Sequence, residues 1–535
     1  MRIYLAQSKP VIGDLEHNYR LISQHYEHGL KLECGFCVLP ELFLSGYTPA
    51  DLLLKPSFIE EVTSYVNKLA LSSKETVLLL PTPWQEDGKL YNAVLALQNG
   101  NIIGKTYKHD LPNYGIFDEK RYFTSGEPTI IEAHGMKVGV PICEDVWHDS
   151  VMMGLKRAGA ELFIVPNASP FEIGKFSRRA DVIKQRWQEV KSPIIYCNQV
   201  LGLDGIIYDG RSFGFDGEMK FALPSFAEAA QVVEIENGGI NPANINNYSE
   251  MDLIYGAMVL GLRDYMQHNG FKSVILGLSG GVDSALVAAI AADSLGAENV
   301  TAVMLPSPFT SANSFDDAHA LLRLLPKTHS KTINISAMLE AAIGSMEKLS
   351  PVAYENLQAR IRAVMLMSIA NTDNSLLLTT GNKSEMATGY CTIYGDMCGA
   401  FNPIKDLYKT QVWDICRWRN ENIPSAVDVY NPVAPVIPEQ IITKAPTAEL
   451  RHDQKDSDSL PEYSLLDEIL QLYLEHDLSA KEIIASGFDA DAVNKVVKLI
   501  RMSEHKRWQA APGVKINKRS FIKERRYPIS SGCLI

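Results

Sequence analysis

Apolar and polar positions along the chain fall into two blocks of similar rhythm, separated by a stretch without a period. In the first block, residues 77–80, 137–140, 162–165 and 194–197 are short apolar runs of strand length. Residues 18–29 and 178–190 between them have helical character. Asp209-Gly210 and Asp216-Gly217 are turn signals that bracket a hairpin, residues 212–215 with 219–221. Residues 237–248, NGGINPANINNY, show no periodicity and predict an interdomain linker. In the second block Ile254, Met258, Gly261, Leu262 and Tyr265 mark one face of a helix that stops near Gly270. Strands at 273–278, 300–305 and 375–380 then alternate with helices at 284–295 and 354–370. Such units predict a parallel, doubly wound sheet with ligands at the carboxyl ends of its strands. The polar residues 446–462 predict a mobile loop. The expected organisation is two α/β domains, 1–245 and 250–535.

A chain of 535 residues exceeds one ordinary core, in keeping with two domains. The 63 acidic residues outnumber the 51 lysines and arginines, for a net charge of -12. That balance argues against a nucleic-acid partner and against an anionic membrane surface. The first residues, MRIYLAQSKPVIGD, lack the charged and apolar regions of a signal peptide, and no apolar run is long enough to span a bilayer. A cytoplasmic location is expected, with the eight cysteines mostly free thiols. Cys34 and Cys37 form a CxxC, but no second one follows, so buried core is the expectation for both. Cys533 is third from the end, whereas a prenylation motif has its cysteine fourth from the end.

Candidate chemistry changes this picture most in the second block. Gly277, Leu278, Ser279, Gly280, Gly281, Val282, Asp283 and Ser284 carry an apolar strand through a Ser-Gly-Gly turn into a helix. Glycines let the backbone approach a ligand, and the helix start offers free N–H groups and a positive dipole end. Ser279 and Ser284 add hydroxyl donors, completing a cradle for an anion the size of pyrophosphate. The Walker A pattern is absent both here and at Gly381-Asn382-Lys383-Ser384, which argues against γ-phosphate transfer.

SGGxDS after a strand resembles the loop of the ATP pyrophosphatases, which cleave ATP between its α and β phosphates. Residues 354–362 (YENLQARIR), 379–385 (TTGNKSE), 394–399 (YGDMCG), 402–405 (NPIK) and 504–508 (EHKRW) resemble NAD synthetases more closely. The resemblance covers most of 250–530 and implies a Rossmann-like, adenine nucleotide alpha hydrolase fold. It implies that the 277–284 loop and Thr380 contact ATP, that Asn356, Glu385 and Lys506 contact nicotinate adenine dinucleotide, and that Asp283 and Glu385 hold magnesium. Two carboxylates are hard oxygen ligands suited to that ion. Lys383 and Lys506 are expected to offset negative charge on the substrates and departing pyrophosphate.

In the first block Glu41 follows an apolar strand, Lys108 precedes HDLPNY, and Cys143 lies in VPICED after another strand. In that order they resemble the nitrilase-type amidases, whose fold is an α-β-β-α sandwich. Residues 117–122 (FDEKRY) and 167–170 (NASP) extend the match over about 1–235. The resemblance implies a cysteine nucleophile with Glu41 as base and Lys108 as oxyanion partner, in accord with the chemistry of amide attack. It also places Tyr114, Ser169 and Lys175 around glutamine and lets Glu119 orient Lys108. Thr48, Ala50 and residues 202–205 depart from the family pattern without touching the triad.

Either half alone leaves alternatives. The first fits a free-standing nitrilase or carbamoylase. The second fits GMP, asparagine or argininosuccinate synthetases or an RNA-modifying enzyme. Their pairing resembles the glutamine-dependent NAD synthetases, which implies ATP as a substrate, magnesium and no prosthetic group. Nicotinate would be adenylated and then attacked by ammonia, carried along a sheltered passage. The family is usually a homo-oligomer, dimeric or larger. An amidase governed by a non-catalytic nucleotide sensor is the alternative of another class, and pyrophosphate release distinguishes it.

Overall fold

The computed structural model describes residues 1–521 and 523–532 and divides into two compact units. Cys533 lies outside the described residues. Unit 1 comprises Met1–Leu201 and Tyr208–Tyr248. Its larger sheet runs Gly239–Ile240, Ala229–Glu236, Arg2–Gln7, Phe36–Val38, Val77–Glu86, Lys89–Gln98, Asn101–Tyr107. The second sheet runs Glu218–Ala222, Phe213–Asp216, Ile194–Asn198, Leu162–Asn167, Met136–Gly139, Ile130–Ala133. Ile3, Leu5, Val38 and Leu79 from the first meet Val138, Ile164 and Ile195 from the second in one fully buried core. Leu15–Lys31 and Pro56–Ser72 pack on the first sheet, and Asp149–Arg157 and Lys175–Val190 on the second. This is the expected α-β-β-α sandwich. The middle strands of both sheets are parallel and covered on both faces, so they read as unbroken apolar runs.

Residues 237–248 do more than link. Asn237 and Gly238, both at positive φ (51° and 80°), make a tight turn that folds Gly239–Ile240 back onto Ala229–Glu236. The segment therefore belongs to unit 1: Gly239–Ile240 edge its larger sheet, and Ala243 and Asn246 bond to Lys220 and Ala222 of the second.

Unit 2 comprises Gly202–Ile207 and the chain from Ser249 onward. Its sheet is wholly parallel, in the order His329–Thr332, Val300–Met304, Val274–Gly277, Leu376–Leu378. The chain leaves Val274–Gly277 first to one side and later returns on the other, so a crevice opens at that strand's carboxyl end. Val282–Leu295 pairs with Glu250–His268, while Pro351–Asp373 packs on the strands through Ile361 and Ala370. A separate helical core, built on Leu466, Leu470, Val493, Val496 and Ile500, follows towards the C-terminus. Among the described residues no helix is long and apolar enough to cross a membrane.

Candidate active sites

In unit 1 the three predicted residues converge. Glu41 follows Phe36–Val38, Lys108 follows Asn101–Tyr107, and Cys143 follows Met136–Gly139. Cys143 opens a one-turn helix, Cys143–Val146, with φ at +47°. That backbone is costly for a residue with a Cβ, and it is the kind of turn that presents a side chain at a sheet end. The Lys108 ammonium donates to Glu41 Oε1 and to Glu119 Oε1, each at 2.7 Å. Glu41 also accepts from Asn92 Nδ2 at 2.7 Å and from the Ala168 N–H at 3.1 Å. Tyr47 donates its hydroxyl to Glu119 at 2.7 Å.

Burial works against the charge of Lys108, but Glu119 and Glu41 more than offset it and hold its pKa well above the ordinary range. Burial, opposed by Lys108, brings Glu119 up to about 7. Burial and the charge of Glu41 also push the Cys143 thiol well up, against the pull of Lys108. The resting sulfur therefore carries its proton and needs a base to become a nucleophile.

Tyr114, Ser169 and Lys175 lie on the segments around this centre. The Tyr114 hydroxyl donates to the Glu144 carboxylate, 3.0 Å from each oxygen. Ser169 is pinned by its N–H to Asn198 Oδ1 at 2.8 Å and by Arg179 Nε on its hydroxyl at 2.9 Å. Lys175 Nζ stands 4.7 Å from the ring centre of Trp147. Glu144 was not singled out from the sequence. Its signal there is its place directly after the cysteine, which sets a carboxyl group beside the Cys143 thiol.

In unit 2 a cavity of about 320 Å³ opens at the predicted crevice. Gly277, Leu278, Ser279, Gly281, Val282, Asp283, Ser284, Thr380 and Glu385 line it. Gly280 is left-handed, φ +78°, and a Cβ there would collide with the Ser314 carbonyl oxygen, so only glycine suits the position. Ser279 and Ser284 hold their hydroxyls 3.1 Å apart, and the Gly281 N–H donates to Ser279 Oγ at 3.2 Å. Residues 446–450 of the predicted loop also face the cavity. Glu449 ties that loop down by accepting from Ser311 Oγ at 2.8 Å and Ser314 Oγ at 2.6 Å. Asn356 and Lys506 stand outside the cavity lining: Asn356 Oδ1 accepts from Thr392 Oγ1 at 2.9 Å, and Lys506 Nζ donates to the Gly389 and Cys391 carbonyls at 2.8 and 2.7 Å.

One expectation is overturned. Lys383 is fully buried and faces Asp406 and Glu475, at 2.7 and 2.6 Å, not the cavity. Lys383 and Glu385 both sit on the helix Lys383–Thr388, two residues and about 200° apart, so only one of them can face the cavity. The cation beside the two carboxylates is instead Lys409, which pairs with Asp283 and lies 3.5 Å from Glu385 Oε1; Arg362 and Lys444 line other parts of the cavity. Lys409 is the first residue of the helix Lys409–Glu421, where the dipole disfavours a cation unless carboxylates face it. That mismatch is the signal the sequence held. Asn382 Nδ2 donates to Asp283 at 3.0 Å. Burial and the neighbouring Asp283 raise Glu385 to about 8, against the pull of Lys409. Two carboxylates thus share one ammonium, and this surplus of hard oxygen donors fits a divalent cation.

Residues 2–244 match the carbon-nitrogen hydrolase family and residues 254–510 the NAD synthase family. Over 99% of its length the chain is 43% identical to the glutamine-dependent NAD(+) synthetase of Rhodobacter capsulatus, covering 98% of that protein. It is 41% identical to that of Acinetobacter baylyi over 99% of this chain and 98% of the relative. The structure of glutamine-dependent NAD+ synthetase from Acinetobacter baumannii, in complex with ADP, superposes with a TM-score of 0.79 at 38% identity, covering 99% of this chain and 98% of that one. The chain belongs to the glutamine-dependent NAD(+) synthetases.

Proposed function

We propose that the residues above divide the reaction of the family between them. The chain hydrolyses glutamine and uses the ammonia and ATP to amidate deamido-NAD to NAD. In unit 1, Glu41 takes the Cys143 proton as the sulfur attacks the glutamine amide, and returns a proton to the departing ammonia. Lys108 and the N–H beside Cys143 stabilise the oxyanion. Water activated by Glu41 then releases glutamate from the thioester. A zwitterionic ligand needs both signs of charge, and here Glu144 faces its ammonium and Lys175 its carboxylate, with Tyr114 and Ser169 lining the rest.

In unit 2 the 277–284 loop and Thr380 hold the ATP phosphates, and Lys409 offsets their charge. Asn356, Glu385 and Lys506 receive deamido-NAD. Asp283 and Glu385 are the residues to hold a magnesium ion, which supplies charge neutralisation at the phosphates when bound. The nicotinate carboxylate attacks the α-phosphorus and expels pyrophosphate, and ammonia then displaces AMP. The single observation that carries this reading is the convergence of Asp283, Glu385 and Lys409 on a cavity floored by SGGVDS.

Product analysis tests it. Purified protein given glutamine, ATP, magnesium and deamido-NAD should form NAD, AMP, pyrophosphate and glutamate. ADP and phosphate in their place would overturn the assignment of unit 2.

A further inference from the structure

We propose that Asp145 is a positioning residue that keeps Lys108 and Cys143 in register, an inference that rests on the glutaminase reading of unit 1. Those two residues leave strands of different sheets, Asn101–Tyr107 and Met136–Gly139. The carboxylate of Asp145 spans the gap between their backbones. Its Oδ1 accepts from the N–H groups of His109 at 3.0 Å and Asp110 at 2.8 Å, the two residues directly after Lys108. Its Oδ2 accepts from the N–H of Ile142 at 2.9 Å, the residue directly before Cys143.

One side chain therefore grips the backbone on the far side of the lysine and the near side of the cysteine. Asp145 is fully buried, so these bonds are shielded from competing water. The Asp145 N–H also donates to the Ile142 carbonyl at 3.1 Å, closing the turn that carries Cys143. That turn holds Cys143 in a conformation it would leave if released, with φ at +47°. A carboxylate is suited to the task because it accepts three N–H bonds and donates none. Asparagine has nearly the same shape, yet it must turn an NH2 group against either Ile142 or the His109–Asp110 pair. Register between the oxyanion partner and the nucleophile should then loosen, while the path of glutamine into the pocket stays as it was.

The test uses the full chain carrying Asp145→Asn. Glutamine hydrolysis should lose about 10- to 100-fold in kcat, the cost usual for a supporting residue whose loss displaces reacting groups by about an ångström. KM for glutamine should stay within about threefold, because the lost interaction serves the transition state. NAD formation from added ammonium should remain at the parent rate. Hydrogen exchange at the amides of His109, Asp110 and Ile142 should accelerate within a protein that still unfolds cooperatively. An unchanged kcat, or a raised KM at unchanged kcat, would overturn the proposal. So would loss of the cooperative transition along with glutaminase activity, which would make Asp145 a folding residue. A parent protein with no glutaminase activity is a different result, and that one defeats the underlying reading of unit 1.

Discussion

Each unit places a lysine between two carboxylates, and the two triplets differ in how far they are closed off. In unit 1, Lys108, Glu41 and Glu119 have side chains 0–4% exposed. Asn92 and Ala168 donate further to Glu41 and Tyr47 to Glu119, leaving Glu119 Oε2 as the one oxygen of this pair of carboxylates without a partner among the described residues. In unit 2, Asp283 and Glu385 have side chains 17% exposed and open on the cavity, with Lys409 at 3.5 Å from Glu385. Covalent chemistry on an uncharged amide is served by groups fixed in advance. Phosphoryl chemistry brings its own charges, and the unit 2 carboxylates, although partnered by Lys409 and Asn382, stay open to the cavity where such charges would arrive.

The comparison predicts which activities part company when either triplet is broken. Cys143→Ala should reduce glutamine-driven NAD formation on the order of 10⁴-fold or more. The same variant supplied with ammonium chloride should keep its synthetase rate, and a failure to do so would mean that the activities are not separable. Asp283→Ala should lose about a thousandfold with either nitrogen source, read by NAD formation. Normal turnover on ammonia would remove Asp283 from the account.

Lys409→Met probes the unit 2 triplet more gently. It leaves two carboxylates facing each other and should cost about 3 kcal/mol in urea unfolding, the usual penalty for breaking a buried pair. The corresponding fall in ammonia-driven rate should be about a hundredfold. Glu385 sharpens the comparison through pH. Its carboxyl titrates at about 8 folded, against 4.5 for the free group. The folded chain keeps a proton the unfolded chain has released, so stability falls as pH rises between those values. Glu385→Gln should flatten this part of the slope when unfolding is compared near pH 5 and pH 8. A slope unchanged by the substitution would show that Glu385 is ordinary in the folded state.

Much of this was legible in the sequence because it depended on local order. Apolar runs covered on both faces marked the parallel strands, and SGGVDS announced a strand, a tight turn and a helix at once. Glu41, Lys108 and Cys143, each ordinary alone, could be found because in that order, each near a strand end, they resemble the nitrilase-type amidases. The misses share a different cause. Lys383 and Lys409 look alike in sequence, and only the helix on which each sits decides which one faces the cavity. The Asn237-Gly238 turn was hidden by the polar residues after it, although Asn-Gly is itself a hairpin signal. Glu144 and Asp145 are adjacent acids, and their separate tasks follow from which backbone and side-chain groups each one meets.

The central claim is that nitrogen released at Cys143 becomes the amide of NAD. The most direct measurement supplies glutamine labelled with ¹⁵N in its side-chain amide, in the presence of unlabelled ammonium, and weighs the NAD by mass spectrometry. The account predicts NAD carrying the label in its carboxamide, and unlabelled NAD when Cys143→Ala is used. Unlabelled NAD from the parent protein, formed while labelled glutamine is being hydrolysed to glutamate, would contradict it.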